Sequence, residues 1–409
     1  MIQEQVEEIT DDSGDELFDV GNLLEDIVFK ALAMRSSDIH IEPKEKNVVV
    51  RYRIDGMLRE VLKIDKDIEQ ALIFKIKVAS KLRTDEHFAP QDGRIKFIRE
   101  AKSLDTRISI LPTTKGEKVV IRLLSQEGRS FKLEDLGLEG KELEFVEKSM
   151  RKPYGMILTV GPTGSGKTTT LYSILTNINS PEINVTTIED PVEYEIDGVN
   201  HIQINLKTNL TFATGLRSIL RQDPDVVMVG EIRDNETARI AINAALTGHL
   251  VLSTLHTNDA VTTIPRLIDM GIEPYLVAST VNTIIAQRLC RLLCPHCKKE
   301  YKLTKEELDF TTKVRKDIGD KLEVGDKYYK KVGCQECGNT GYKGRIGIYE
   351  ILDVDEQIRK LISMNSTVDE VFRLARKNGL HLIVENSINR LKDGLIDIAE
   401  IMRVTAMKD

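Results

Sequence analysis

Apolar positions change period several times along the chain, and each change predicts an element. Leu23, Leu24, Ile27, Val28 and Ala31 recur at helical spacing inside "LLEDIVFKALAMRSSDIHIEP", a pattern expected to stop at Pro43. "VVVRYRIDG" (48–56) alternates with period two and ends in Asp-Gly, which predicts a strand and a turn. "LIFKIKVASKL" reads as a second helix, and "RIKFI", "LDTRISILP" and "EKVVIRLL" as further strands. Together these predict an α+β domain over residues 20–124.

The polar, glycine-bearing "SQEGRSFKLEDLGLEG" follows, and residues 125–137 are expected to be a linker and hinge. Beyond it the texture differs. "GMILTV", "VTTIED", "DVVMVG" and "LVLSTLH" are short apolar runs of strand length, and "TLYSILTNI" and "ETARIAINAAL" have helical spacing. Strands alternating with helices predict an α/β unit with a mostly parallel sheet, here over residues 138–355. Residues 356–409 read as a C-terminal helical subdomain broken at "NG" and "DG".

Composition narrows the class. A chain of 409 residues exceeds one compact core, and 41% hydrophobic with 30% charged residues is ordinary for a globular protein. No apolar run approaches the length of a membrane span, and the acidic start carries no basic, then apolar, leader. A cytoplasmic protein is expected, with residues 1–19 an acidic, disordered tail. A net charge of −7, no Trp and 5% aromatics argue against a protein that coats nucleic acid, so no nucleic-acid partner is expected.

"GPTGSGKT" (161–168) satisfies the phosphate-loop pattern between a predicted strand and a predicted helix. Gly161, Pro162, Thr163, Gly164, Ser165 and Gly166 would let the backbone curl, so that N–H groups from Thr163 to Thr169 face phosphate oxygens. Lys167 would bridge the β- and γ-phosphates of ATP, and the Thr168 hydroxyl would bind Mg²⁺. Carboxylates are then needed at neighbouring strand ends. "IEDPVE" supplies Glu189, Asp190 and Glu193, and "VVMVGE" supplies Glu231. The alternative for Glu231 is a strand-end acid paired with Arg233. His249 and His256 flank the strand "LVLSTL".

Five cysteines occur, four of them as "CPHC" and "CQEC". Two C-x-x-C pairs predict a tetrahedral Zn²⁺ site of Cys294, Cys297, Cys334 and Cys337, within an element spanning about residues 290–345. Four sulfurs close the coordination sphere, so the metal would be structural. The charged run between the pairs would fold out as an excursion. Cys290 and His296 are expected to stand outside the site.

"LRQDPDVVMVGEIRD" resembles the signature of the type II secretion and type IV pilus ATPase family. The P-loop, an acidic box in "TTIEDPVEYEIDGVNHIQIN" and a histidine box in "ALTGHLVLSTLHTNDA" are of the same type. So are "SDIHIEP", "RYRIDG", "GEKVVIRLL" and "GRIGIYEIL". The resemblance implies a RecA-like P-loop ATPase domain in a homo-hexamer that drives assembly of a pilus, pseudopilus or competence filament. The ring would act through an inner-membrane platform protein, at the inner face of the cytoplasmic membrane.

By resemblance Glu231 helps position Mg²⁺ and the attacking water, and Glu193 or Glu189 is the general base. His249 and His256 would contact the γ-phosphate region, and Arg107 and Arg122 would reach the nucleotide; Arg217 and Arg221 are weaker candidates. The tetracysteine element belongs to extension and secretion members rather than retraction members. Fewer than about 20 residues precede the first matched helix, so the extra N-terminal docking domain of many relatives is expected to be missing. A RecA-like nucleic-acid motor, a nucleotide-gated scaffold and a retraction motor are the rival readings.

Overall fold

The computed structural model describes residues 7–9, 20–99, 102–124 and 132–405. The chain divides into two compact units, Met1–Arg129 and Ser130–Asp409. The sequence-derived tail (1–19) falls largely outside the described residues, apart from Glu7–Ile9, which form a short strand. Residues 125–131 of the expected linker also lie outside them.

The first unit is a seven-stranded sheet with two helices. Its strands are β1 (Glu7–Ile9), β2 (Ser36–Pro43), β3 (Asn47–Ile54), β4 (Met57–Asp65), β5 (Gln91–Arg99), β6 (Lys102–Thr113) and β7 (Gly116–Leu124), in the order β1-β4-β3-β2-β7-β6-β5. The helices are α1 (Val20–Ala33) and α2 (Glu69–Ala79). Leu24, Ile27, Val28 and Ala31 of α1 pack with Leu72 and Ile76 of α2 onto Ile39, Ile41 and Ile121. Buried Tyr52 anchors α1 by donating its hydroxyl to the Ile27 carbonyl at 2.7 Å.

The first helix ends at Ala33, ten residues before the expected stop at Pro43. "SDIHIEP" is a strand instead. Arg35 takes a left-handed conformation at φ 55° and turns the chain into β2, whose Ile39 and Ile41 face the core. Ile39 and Ile41 share one face of β2, and that two-residue spacing outweighs the helical spacing upstream.

The second unit is built on another seven-stranded sheet. Its strands are β8 (Gly155–Val160), β9 (Val185–Glu189), β10 (Val199–Gln203), β11 (Val226–Val229), β12 (Leu250–Leu255), β13 (Val281–Leu293) and, after a two-stranded excursion of β14 (Lys299–Lys302) and β15 (Lys327–Lys330), β16 (Tyr342–Asp353). The order is β10-β9-β11-β12-β8-β13-β16, parallel except for the antiparallel β13–β16 pair. Residues of β8, β9, β11 and β12 are buried throughout, which is why β8 and β11 read as largely apolar runs with no exposed face.

Helices α3 (Gly140–Met150), α4 (Lys167–Ile178), α5 (Phe212–Ile219) and α6 (Asn235–Leu246) flank this sheet. The excursion is not merely solvated. Leu303, Ile318, Leu322 and Tyr328 join one core with Ile358, Ile388, Leu391 and Ile401 of the C-terminal helices and Val227 and Ala286 of the sheet. The expected C-terminal helical subdomain thus shares its core with the sheet of the second unit. Leu133, within the expected linker, and Leu138, just after it, are likewise buried in the second unit.

Candidate functional site

The loop after β8 lies at the carboxyl ends of the parallel strands and opens directly into α4. Gly161 (φ 145°) and Gly166 (φ 91°) hold backbone conformations that favour glycine. A Cβ on Gly161 would come within 2.6 Å of the Gln287 carbonyl oxygen, and one on Gly166 within 2.8 Å of Gln287 Nε2. The loop is therefore pressed against β13 with no room for side chains. Lys167 is buried and donates Nζ to the carbonyls of Gly161 (2.8 Å) and Pro162 (3.2 Å). Burial lowers its pKa to about 8, opposed by the carboxylate of Glu231 and reinforced by Arg288. Thr168 is exposed at the first turn of α4, and the buried Ser165 hydroxyl has no partner among the described residues.

Glu231 follows β11. Its side chain is only 13% exposed, with Oε1 2.6 Å from Arg233 Nη2 and Oε2 3.5 Å from His256 Nε2. The pairing with Arg233 therefore exists, but on an exposed arginine, while the carboxylate also acts on Lys167. Gly230 is held by a bond from its N–H to Ile188 O at 2.8 Å and by Thr254 Oγ1 donating to its carbonyl at 2.8 Å. Glu231 is thus stationed between β9 and β12 at the loop end of the sheet.

Glu189, at the end of β9, is buried and saturated. Tyr172 Oη donates to it at 2.5 Å and Thr187 Oγ1 at 2.6 Å, and His201 Nδ1 lies 2.9 Å away. Tyr172 also accepts the Glu193 N–H at 3.2 Å, so this hydroxyl ties the acidic segment to α4. Sequence spacing gave no sign of Tyr172 or His201 in this network, since nothing in a motif reports which donors close on a buried acid.

His249 lies at the end of β12 away from the P-loop. It precedes β12, whose Leu250 pairs with Gly155 while Leu255 pairs with Val160. Six residues of strand, roughly 20 Å, separate it from the end where the P-loop begins. Its carbonyl accepts the Gly155 N–H at 3.1 Å, and its ring sits 2.9 Å from the Ala244 carbonyl. Within this unit His249 closes the base of the sheet, and only His256 stands near Glu231. Arg217 is paired to Glu236 at 2.5 Å, and Arg221 donates to the Arg217 carbonyl at 2.8 Å. Arg107 and Arg122 belong to the first unit, on β6 and β7.

The four paired cysteines converge, their sulfurs all within 4.8 Å of one another. Sγ–Sγ distances of 3.9 Å (Cys294–Cys334), 3.9 Å (Cys297–Cys337) and 3.8 Å (Cys334–Cys337) are those of a tetrahedron. Zn–S bonds of about 2.3 Å require S–S edges of about 3.8 Å, so the donor set fits zinc. N–H groups of Cys334 and Gly341 each reach Cys337 Sγ at 3.2 Å, and the Gly333 N–H reaches Cys297 Sγ at 3.3 Å. Burial opposes ionisation of Cys337, but the two N–H groups together with the Cys334 and Cys297 thiols draw it down to about 6, while burial first of all pushes Cys297 up to about 11. Cys290, buried in the core, is pushed up to about 12 by that burial and stays a thiol.

A phosphate loop opening into a helix, an acid on a neighbouring strand end and a parallel sheet define a RecA-like P-loop ATPase with a tetracysteine site. The chain belongs to the family described as Type II/IV secretion system protein, which matches residues 14–403. It is 45% identical over 383 residues to the type II secretion system protein E of Pseudomonas aeruginosa, covering 94% of this chain and 75% of that one. It is 43% identical over 382 residues to the type IV pilus assembly ATPase PilB of Myxococcus xanthus, covering 93% and 67%. The fold also matches the crystal structure of the pilus retraction motor PilT with bound ADP, at a TM-score of 0.63 and 26% identity over 96% of this chain and 98% of that one. The chain is an ATPase, and no helix among the described residues is long and apolar enough to cross a membrane.

Proposed function

We propose that this ATPase is an assembly motor, which extends a pilus, pseudopilus or competence filament from the cytoplasmic side of a membrane. The observation that carries this reading is the tetracysteine cluster on the sheet of the ATPase unit. The higher identity to a secretion protein E and a pilus assembly ATPase than to a retraction motor supports it.

In this reading residues 161–169 cradle the phosphates of ATP. Lys167 exchanges its two carbonyl partners for phosphate oxygens, so that its charge is spent on the nucleotide. Thr168 and Glu231 would hold Mg²⁺, which supplies charge neutralisation at the β- and γ-phosphates. Glu231 orients the attacking water, and His256 lies close enough to steady it. Three groups around the Glu189 carboxylate restrain its lone pairs, so Glu193 is the base we favour, with Glu189 as its scaffold. Arg107 and Arg122 would come to the phosphates from the first unit and neutralise charge that grows in the transition state. Six copies form a ring that passes its motion to a platform protein in the membrane.

ATP hydrolysis per subunit, followed against protein concentration with Mg²⁺ and without DNA, tests this. A specific activity that climbs to a plateau is the expected result, because the sites depend on assembly. Activity that needs DNA would move the reading to a nucleic-acid translocase.

A further inference from the structure

We propose that Arg288 is a second cationic contact for the phosphate chain of the bound nucleotide, delivered from β13 alongside Lys167. The inference rests on residues 161–169 being the nucleotide cradle.

Register puts Arg288 there. Ala286 of β13 pairs with Val160, the last residue of β8, so Gln287 and Arg288 run on level with the loop. Arg288 Nη1 donates to the Gln287 carbonyl at 3.1 Å and Nη2 to the Asn258 carbonyl at 2.8 Å. A Cβ placed on Gly161 would stand 3.2 Å from Nη1. The guanidinium therefore packs against the first turn of the P-loop and is tethered to the loop after β12 that carries His256.

Its electrostatics are unlike those of its neighbours. Three residues along the same strand, Arg291 is closed by Glu400 at 2.9 and 2.5 Å, and Arg403 meets the same carboxylate at 2.7 Å. No carboxylate among the described residues lies within ion-pair distance of Arg288. Glu350 and Asp259 reach it only as more distant charges, and burial lowers its pKa. Two of its five N–H groups are used, both on neutral carbonyls. A half-buried guanidinium beside a second desolvated cation, Lys167, is costly without a counter-charge. An anion in the cradle supplies one. The buried Ser165 hydroxyl, without a partner among the described residues, faces the same glycine and adds a donor to the cradle. Planar donors in a fork suit phosphate oxygens.

Binding of ADP and of tripolyphosphate to the full chain, measured by calorimetry, tests the proposal. Arg288→Gln should weaken both by the same factor, roughly tenfold to a hundredfold, the loss of one charge-assisted bond. Arg288→Lys, which keeps a charge but not the fork, should fall between. It carries the comparison if the Gln variant does not fold. Affinities within about twofold of the unaltered chain, or a loss confined to ADP, would overturn the proposal, the latter because it assigns Arg288 to the nucleoside. Lys167→Ala is the separate control: undiminished ADP affinity there would remove the cradle reading itself.

Discussion

Arg107 and Arg122 face each other directly across β6 and β7, and Arg94 on β5 stands opposite Arg107 in the same row. On the other side Arg122 pairs with Asp38 of β2, Nε to Oδ1 at 2.9 Å. Like charges in cross-strand register cost the sheet up to about 1 kcal/mol per pair.

Removing one member should therefore separate fold from function. Arg107→Ala is expected to leave the unfolding temperature within a few degrees while turnover falls by roughly 10³-fold, the scale of a lost transition-state arginine. Parallel thermal melts and steady-state hydrolysis check this. Turnover close to that of the unaltered chain would take Arg107 out of the chemistry.

Glu231→Gln keeps the shape of the side chain and its place between Arg233 and His256. It removes the charge that would position Mg²⁺ and water. ATP should still bind, with turnover reduced by roughly 10²-fold or more. Nucleotide affinity measured beside kcat separates the two effects, and an unchanged kcat would sink the role given to Glu231.

Zinc content by elemental analysis should be about one ion per chain, and Cys334→Ser should abolish it. The four sulfurs pin Cys294, at the end of β13, to the segment that leads into β16. Chelation is expected to lower the melting temperature of the second unit. A metal-free chain with an unaltered melt would show the cluster to be dispensable.

Glu350 gives a pH signature. It is buried on β16 and accepts the Ala260 N–H at 2.9 Å. Burial, first of all, raises its carboxyl from 4.5 to about 7. Between those values the folded chain holds a proton that the unfolded chain has released, so this group's contribution to stability falls as pH rises through the window. Glu350→Gln keeps the acceptor and abolishes the titration. The variant should gain on the unaltered chain as pH climbs from about 5 to about 8, read as the difference in melting temperature. A difference that stays flat would contradict the raised carboxyl.

What was legible in the sequence follows from how local each signal is. The P-loop and the cysteine pairs carry their chemistry in contiguous residues, so strand, loop and ligand set could be read directly. β8, β11 and β12 were legible because burial on both faces leaves short apolar runs. β13 and β16 were not read as strands, since "VNTIIAQRLCRLL" is long, apolar and broken by arginines whose partners, Glu400 and the P-loop, lie far away in sequence. His249 and His256 flank one strand but stand at its opposite ends, which spacing in the sequence does not report. The acidic box could not separate Glu189 from Glu193, because Tyr172, Thr187 and His201 are brought to Glu189 only by folding.

β13 runs from its pairing with β8, past the glycines of the P-loop, through a register shift between Arg291 and Leu293, to the residue before the first cysteine of the cluster. One strand thus joins the proposed nucleotide cradle to the proposed zinc site. Coupling free energies are reciprocal. By whatever factor zinc occupancy changes the affinity for ADP, ADP must change the affinity for zinc by the same factor.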